Sequence, residues 1–197
     1  MKAIIGLGNL GAQYEGTRHN AGFEAVDSLN SLDGTGNGSF KLNKRLLAEI
    51  AQPTLLTVPV LLAKPVTYMN DSGKAVLAIK NFYKLALKDF LIIHDDISLP
   101  LGKIRLQKAG GAGGQHGVES IIECLGGEKD FNRLKIGIGP DPGGDVRIHY
   151  VLQKFSVSER ALLRKVIEIA SKATLSWLTH GIDQAMNEFN GCDLYQR

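Results

Sequence analysis

The 197-residue chain has the composition of a soluble globular protein. Apolar residues make up 44% and charged residues 22% of it, which excludes an intrinsically disordered chain. The length predicts a single domain over residues 1–197, large enough to bury a core. The net charge of +3 is only mildly basic, so charge alone does not establish nucleic-acid binding.

The cysteine content and hydropathy indicate a cytoplasmic protein. Cys124 and Cys192 are the only cysteines, too few for a disulfide scaffold and without metal-ligand spacing. The N-terminus leads directly into an apolar run rather than into a signal peptide. No apolar stretch reaches the roughly 18 residues that span a bilayer. We expect reduced thiols, no membrane association and a monomer.

Strand-like and helix-like segments alternate along the chain. Apolar runs predict strands at Ala3–Leu7, Leu46–Ala51, Leu55–Ala63, Phe90–His94, Lys103–Gln107 and Leu134–Ile138. Helical spacing predicts helices at Ala21–Leu32, Gly73–Leu85, Val118–Leu125 and Ser156–Leu178, the last capped by Ser158. Alternation favours an α/β fold. A predicted hairpin around Pro53 makes it a single domain with a twisted, mixed β-sheet flanked by helices. Gly34–Ser39 is predicted to be a surface loop, and Asp141–Asp145 a turn.

A glycine-rich turn, Gly6–Gly11, follows the first strand and matches the dinucleotide-binding pattern G-x-G-x-x-G. That motif requires a helix to begin at the turn, so that its N–H groups hold the pyrophosphate. Here the helical pattern begins only near Asn20, and no acidic residue follows a second strand. A tight turn without a ligand is the favoured interpretation, and a nucleotide-dependent oxidoreductase is the weaker alternative.

Polar side chains follow three of the predicted strands. His19, just beyond the first, is either a loop-capping residue or a general base that accepts a proton near neutral pH. Asn70 is either a helix cap or a donor to a developing oxyanion. Asp95 is either a carboxylate that orients a histidine or, with Asp96, a Mg²⁺ ligand. His94 suits a structural role as well as a functional one.

A second glycine-rich segment, Gly110–Gly117, is flanked by basic side chains. Either these are solvated charges on exposed faces, or they form a rim that binds nucleic-acid phosphates without reading bases. The candidates are Lys103, Arg105, Lys108, Arg133 and Lys135.

Taken together, these segments resemble bacterial-type peptidyl-tRNA hydrolases. The resemblance runs in order over nearly the whole chain and rests on the following motifs: Gly6–Gly11 with Tyr14 and Thr17–Gly22, Lys64–Gly73, His94–Asp96, the second glycine-rich segment, and Arg133–Gly139.

The resemblance implies hydrolysis of the ester between a peptide and the terminal ribose of tRNA, without metal or cofactor. His19 would activate the water and Asp95 would orient His19. Asn9 and Asn70 would position the peptide and water or support the oxyanion. The partner would be peptidyl-tRNA, bound through its acceptor stem and 3′ end. Contacts to it are expected from Tyr14, Tyr68, Asn70, Gln115, His116 and the five basic candidates.

Two positions depart from the family pattern. Leu10 replaces the proline of Gly-Asn-Pro-Gly, and Gln115-His116 stands where Gly-His-Asn-Gly is usual. His116 therefore occupies the asparagine position, and we expect it to support substrate binding rather than chemistry. The main alternative is an RNA-binding relative without catalysis. The joint presence of Asn9, His19, Asn70 and Asp95 argues against it, because binding alone does not require that set.

Overall fold

A computed structural model describes residues 1–32, 38–192 and 194. Residues 34–37 of the predicted Gly34–Ser39 loop lie outside them. The strands within the described ranges are β1 (Lys2–Gly6), β2 (Lys41–Asn43), β3 (Ala48–Ala51), β4 (Thr54–Leu55), β5 (Val58–Pro65), β6 (Phe90–Pro100), β7 (Ile104–Gln107) and β8 (Asn132–Gly139). The helices there are α1 (Ala21–Ser31), α2 (Ser72–Tyr83), α3 (His116–Cys124), α4 (Val146–Leu152), α5 (Val157–His180) and α6 (Ile182–Phe189).

The strands form one mixed sheet, as predicted. Its order is β2-β3-β5-β1-β6-β8-β7, and β4 pairs with β5 outside this path. The four central strands β5, β1, β6 and β8 are parallel, whereas β3 and β7 are antiparallel to their neighbours. The carboxyl ends of β5, β1 and β6 therefore lie at the same edge, which is where ligand sites form in such sheets.

Helices cover both faces of the sheet, so the middle segments of the central strands are apolar and buried: residues 3–5 of β1, 60–63 of β5 and 90–93 of β6. In β1, Ile4 packs with α1 and α5 on one face. Its neighbours Ala3 and Ile5 pack with α2 and α3 on the other. Among the described residues, no helix is long and apolar enough to cross a bilayer.

Two local predictions were wrong. The predicted strand Leu55–Ala63 is divided by a turn, because Leu56 and Thr57 have φ angles of 48° and 68°. Such a turn joins β4 to β5 without the glycine or asparagine that normally marks it. The cap of α5 is Ser156 rather than Ser158, since its hydroxyl accepts from the Glu159 N–H while the Glu159 carboxylate accepts from the Ser156 N–H.

The first glycine-rich turn provides space for α1 to pack closely against the sheet. A Cβ on Gly6 would lie 2.2 Å from the Gly22 carbonyl oxygen, and one on Gly22 would lie 2.4 Å from the Ile93 carbonyl oxygen. Helix α1 thus approaches the backbones of β1 and β6 directly, and its first residue immediately follows the turn that carries His19.

Gly22→Ala is expected to destabilise the protein, because the new methyl group meets backbone atoms that cannot rotate away. Overpacking of this kind costs about 2–3 kcal/mol, which corresponds to a fall in Tm of roughly 4–12 °C for a chain of this size. Thermal unfolding measures the effect. Gly191→Ala is the matched control, since its added Cβ meets no atom within 4 Å; equal Tm values for the two variants would contradict the packing argument.

Candidate active site

A cavity of about 690 Å³ opens at the carboxyl ends of β1, β5 and β6. Eight of the candidate site residues line it: Asn9, Tyr14, His19, Tyr68, Asn70, Asp95, Gln115 and His116. The structure therefore brings together side chains that are up to 107 positions apart in the chain. The five basic candidates do not belong to its lining.

His19 and Asp95 form a hydrogen-bonded pair in the wall of this cavity. His19 Nδ1 lies 2.7 Å from Asp95 Oδ2, and their side chains are 12% and 3% exposed. An ionised carboxylate only accepts hydrogen bonds, so Nδ1 carries the proton and donates it. In the neutral ring Nε2 is then the unprotonated nitrogen, which is the state that a general base needs.

The electrostatics of the pair favour a charged histidine facing a charged carboxylate. Burial lowers the pKa of His19, but the charge and hydrogen bond of Asp95 outweigh it and hold that pKa above its ordinary value. Burial alone raises the pKa of Asp95, and the His19 charge together with hydrogen bonds from His19 and Gln115 brings it below the usual range. Asp95 is therefore positioned to stabilise an imidazolium that forms during proton transfer.

Asn9 is fixed by three hydrogen bonds. Its Oδ1 accepts from the Met69 N–H at 2.8 Å. Its backbone N–H donates to Asn20 Oδ1 at 2.9 Å, and Asn20 Nδ2 donates back to the Asn9 carbonyl at 3.0 Å. With Oδ1 occupied, the Asn9 amide is oriented so that Nδ2 is its remaining donor. Asn20, which follows the catalytic candidate His19, was not predicted to take part in the site.

Gln115 also faces inward. It is 8% exposed, and its Nε2 donates to Asp95 Oδ1 at 3.0 Å. Its Oε1 accepts from the Val118 N–H at 2.8 Å and caps α3. Its neighbour His116 is exposed at the first position of α3. The two residues of the Gln115-His116 departure therefore point in different directions, Gln115 towards Asp95 and His116 towards solvent.

His94, whose role the sequence left open, is among the residues that line the cavity. It is 1% exposed, and its Nδ1–H donates to the Asp95 carbonyl at 2.7 Å. Burial lowers the pKa of His94 to about 4, so the ring is neutral near pH 7. The Asp96 carboxylate pairs with Lys135 Nζ at 3.1 Å. Among the described residues, no cluster of three or more His, Cys, Asp and Glu side chains could hold a metal.

The placement of Arg133 on an exposed basic rim was wrong. Arg133 is fully buried, its guanidinium donates to the carbonyls of Gly110 and Gly111, and burial lowers its pKa to about 10. The side chain is an internal anchor for the glycine-rich segment, stacked on Phe131 with 4.5 Å between the guanidinium carbon and the ring centre. Strand alternation alone does not distinguish this position from a solvent-facing one.

The other four basic candidates differ in exposure. Arg105 and Lys108 are exposed, whereas Lys103 and Lys135 are half-buried. Lys108 pairs with Asp183 at 3.0 Å. Arg105 lies directly across from Lys135 in the β7–β8 pair, so these two cations share one face of the sheet edge.

Helix α4 forms a wall of the cavity that the sequence did not predict. Arg147, Ile148, Val151 and Leu152 from this helix line the cavity, although only a turn was expected just before it. Arg18, the residue before His19, contacts this helix: its backbone N–H donates to the Gln153 carbonyl, and its guanidinium lies 4.4 Å from the Tyr150 ring centre. In the sequence, the only feature that pointed to this contact was Arg18, the arginine directly before His19.

Comparisons with known proteins agree with this geometry. A family model described as peptidyl-tRNA hydrolase matches residues 3–196. A peptidyl-tRNA hydrolase of Carboxydothermus hydrogenoformans is 47% identical over 190 residues, which cover 96% of this chain and 98% of the relative. One from Chlorobium phaeobacteroides (strain BS1) is 46% identical with the same coverage. The crystal structure of peptidyl-tRNA hydrolase from Acinetobacter baumannii superposes with a TM-score of 0.90 at 34% identity and covers 98% of this chain and 96% of that one.

Asp95→Asn is expected to lower the pKa of His19, because the substitution removes the charge that favours the imidazolium and leaves the burial that opposes it. Titration of the His19 ring protons by NMR measures the change. Asp96→Asn is the matched control, since it neutralises the adjacent carboxylate, which pairs with Lys135 instead. A His19 titration curve that responds equally to both substitutions would show that the direct hydrogen bond is not the cause.

Proposed function

This chain belongs to the peptidyl-tRNA hydrolase family, and on that premise we propose that it hydrolyses the ester joining a peptide to the terminal ribose of tRNA. The observation that carries the proposal is the His19–Asp95 pair, with 2.7 Å between Nδ1 and Oδ2, inside a cavity lined by carboxamides. The released products are a free peptide and a tRNA with an unmodified 3′ end. The tRNA then becomes available for aminoacylation again.

We propose that His19 Nε2 acts as the general base. It takes a proton from a water molecule as the water oxygen attacks the ester carbonyl, and Asp95 stabilises the imidazolium that results. When the tetrahedral intermediate collapses, the carbon–oxygen bond to the ribose breaks and His19 returns its proton to the ribose oxygen. Because the base must be unprotonated, activity should rise with pH through the His19 pKa, which lies above its ordinary value near 6.5.

The carboxamides of Asn9 and Asn70 are proposed to bind the reacting group. Asn9 Nδ2 is oriented by the Met69 contact of its Oδ1 and suits a developing oxyanion or a peptide carbonyl. Asn70 lies exposed at the cavity rim, one residue beyond Met69. In a peptidyl ester the α-nitrogen is part of a neutral amide, which can hydrogen-bond to the neutral carboxamides of Asn9 and Asn70. In an aminoacyl ester the α-nitrogen is a charged amine, which would lose its hydrating water without gaining a charged partner. This difference explains a preference for peptidyl over aminoacyl esters.

The proposed tRNA contacts divide into two regions. Tyr14, Tyr68 and His116 line the cavity and are assigned to the 3′ end, with His116 as a binding residue. Arg105, Lys108, Lys103 and Lys135 lie on or beside the β7–β8 edge and are assigned to the acceptor-stem phosphates. A cytoplasmic location and a monomeric state complete the proposal and stay predictions.

The first test is hydrolysis of an N-acetylaminoacyl-tRNA, with the unblocked aminoacyl-tRNA as the control substrate. We expect the wild-type protein to cleave the blocked ester at least 10²-fold faster, and His19→Ala to reduce the single-turnover rate by about 10²–10⁴-fold because it removes the general base. Tight tRNA binding by a wild-type protein that does not cleave would instead identify a non-catalytic RNA-binding homologue.

A second test separates phosphate contacts from internal anchors. Arg105→Ala should reduce the slope of log K against log salt for tRNA binding by about one, since one counterion fewer is released. Arg133→Met should lower the Tm because two loop carbonyls lose their donor, and should leave that slope unchanged. Fluorescence anisotropy over a salt series measures the slopes. An equal loss of slope in both variants would mean that Arg133 leaves its buried position to bind phosphate.

A further inference from the structure

The side chain of Gln115 connects the first turn of α3 to the catalytic carboxylate. Its Nε2 lies 3.0 Å from Asp95 Oδ1, and its Oε1 lies 2.8 Å from the Val118 nitrogen. Asp95 uses its other oxygen, Oδ2, for His19. The two oxygens of Asp95 are thus divided between the general base and Gln115, and the contact with Gln115 is buried.

The hydrogen-bond partners of Gln115 determine which of its two amide atoms is the oxygen and which is the nitrogen. A backbone N–H needs an acceptor, so the atom facing Val118 must be the oxygen. The atom facing Asp95 is then the nitrogen, which is what a carboxylate needs. Rotating the amide by 180° would place an oxygen against the carboxylate and an N–H against an N–H. The chemistry therefore supports only the observed orientation.

Both polar atoms of Gln115 are consumed within the protein, which leaves little capacity for a substrate contact. The same Nε2 also lies 3.3 Å from Met69 Sδ, so even its second hydrogen faces the protein interior. Building on the proposed function, we propose that Gln115 is a positioning residue for the His19–Asp95 pair rather than a tRNA ligand. It fixes the rotamer of Asp95 and stabilises its ionised form, and thereby directs Oδ2 towards His19.

A neutral amide donor suits this role because it hydrogen-bonds to Asp95 without taking up or releasing a proton in the pH range in which His19 titrates. A hydrogen bond to a carboxylate favours the ionised form, and Gln115 is among the causes that keep the pKa of Asp95 low. A charged donor at the same place would also repel the imidazolium of His19. Without the Gln115 donor, the Asp95 carboxylate becomes more basic, and the His19 imidazolium beside it keeps its proton to higher pH.

Two substitutions separate this role from the capping of α3. Serine is a strong helix cap but is too short to reach Asp95, so Gln115→Ser keeps the cap and loses the donor. Methionine approximates the size of glutamine, so Gln115→Met keeps the volume and loses both. The readouts are kcat and KM for N-acetylaminoacyl-tRNA over a pH series, the Tm, and the NMR titration of His19.

We expect kcat at the plateau to fall about tenfold in both variants, with KM within twofold of wild type. The acidic limb of kcat/KM and the His19 titration should both move to higher pH in both variants, and Gln115→Met should additionally lower the Tm. The proposal is overturned if Gln115→Ser behaves as wild type, which would leave only a capping role, or if KM rises while the acidic limb stays in place, which would indicate a substrate contact.

The same experiment distinguishes this inference from the proposed function itself. A wild-type protein that does not cleave the substrate removes the proposed function, and the His19 titration then still reports whether Gln115 acts on the pair. A wild-type protein that cleaves, together with variants whose titration and kinetics are unchanged, removes the inference alone.

Discussion

Asp95 is a carboxylate that is almost completely withdrawn from water, and a buried charge of this kind persists only when its oxygens are hydrogen-bonded. One oxygen faces His19 and the other faces Gln115. The network continues from Gln115 through Met69 to Asn9, and from Asn9 to Asn20, the residue next to His19. The site is therefore a closed ring of contacts that begins and ends at the same turn.

This ring draws on four separate segments of the chain, and the sheet is what holds them in register. The turn after β1 supplies Asn9 and leads to His19, the turn after β5 supplies Met69, β6 supplies Asp95, and the cap of α3 supplies Gln115. Two glycines allow the close approach on which this depends: Gly22 places α1 against β1 and β6, and Gly73 places α2 against the Ser120 carbonyl of α3. Backbone packing away from the cavity thus determines the distances within it.

Much of this arrangement follows from the sequence. Apolar runs that end in polar residues predicted the parallel strands, and parallel strands bring Asn9, Asn70 and Asp95 to one edge. The sequence could not show α4, because its apolar side chains follow a glycine-rich turn and many of them stay exposed. It also could not separate Arg133 from Lys135, two cations on the same strand. Which of them is buried depends on carbonyl groups of a loop more than twenty residues away.

The glycine-rich segment Gly110–Gly117 is held by side-chain hydrogen bonds at both ends and makes few contacts in its middle. Arg133 holds the carbonyls of Gly110 and Gly111 at one end, and Gln115 is held by Asp95 and α3 at the other. Between them, Gly113 and Gly114 have φ angles of 62° and 82°, and a Cβ on either would meet no atom within 4 Å. Gly113 and Gly114 are required for their positive φ angles, whereas Gly22 and Gly73 are required because a side chain would collide with neighbouring backbone atoms. Residues 112–114 line the cavity between these two anchors, so a change in their backbone would leave the Asp95–Gln115 contact in place as long as both anchors hold.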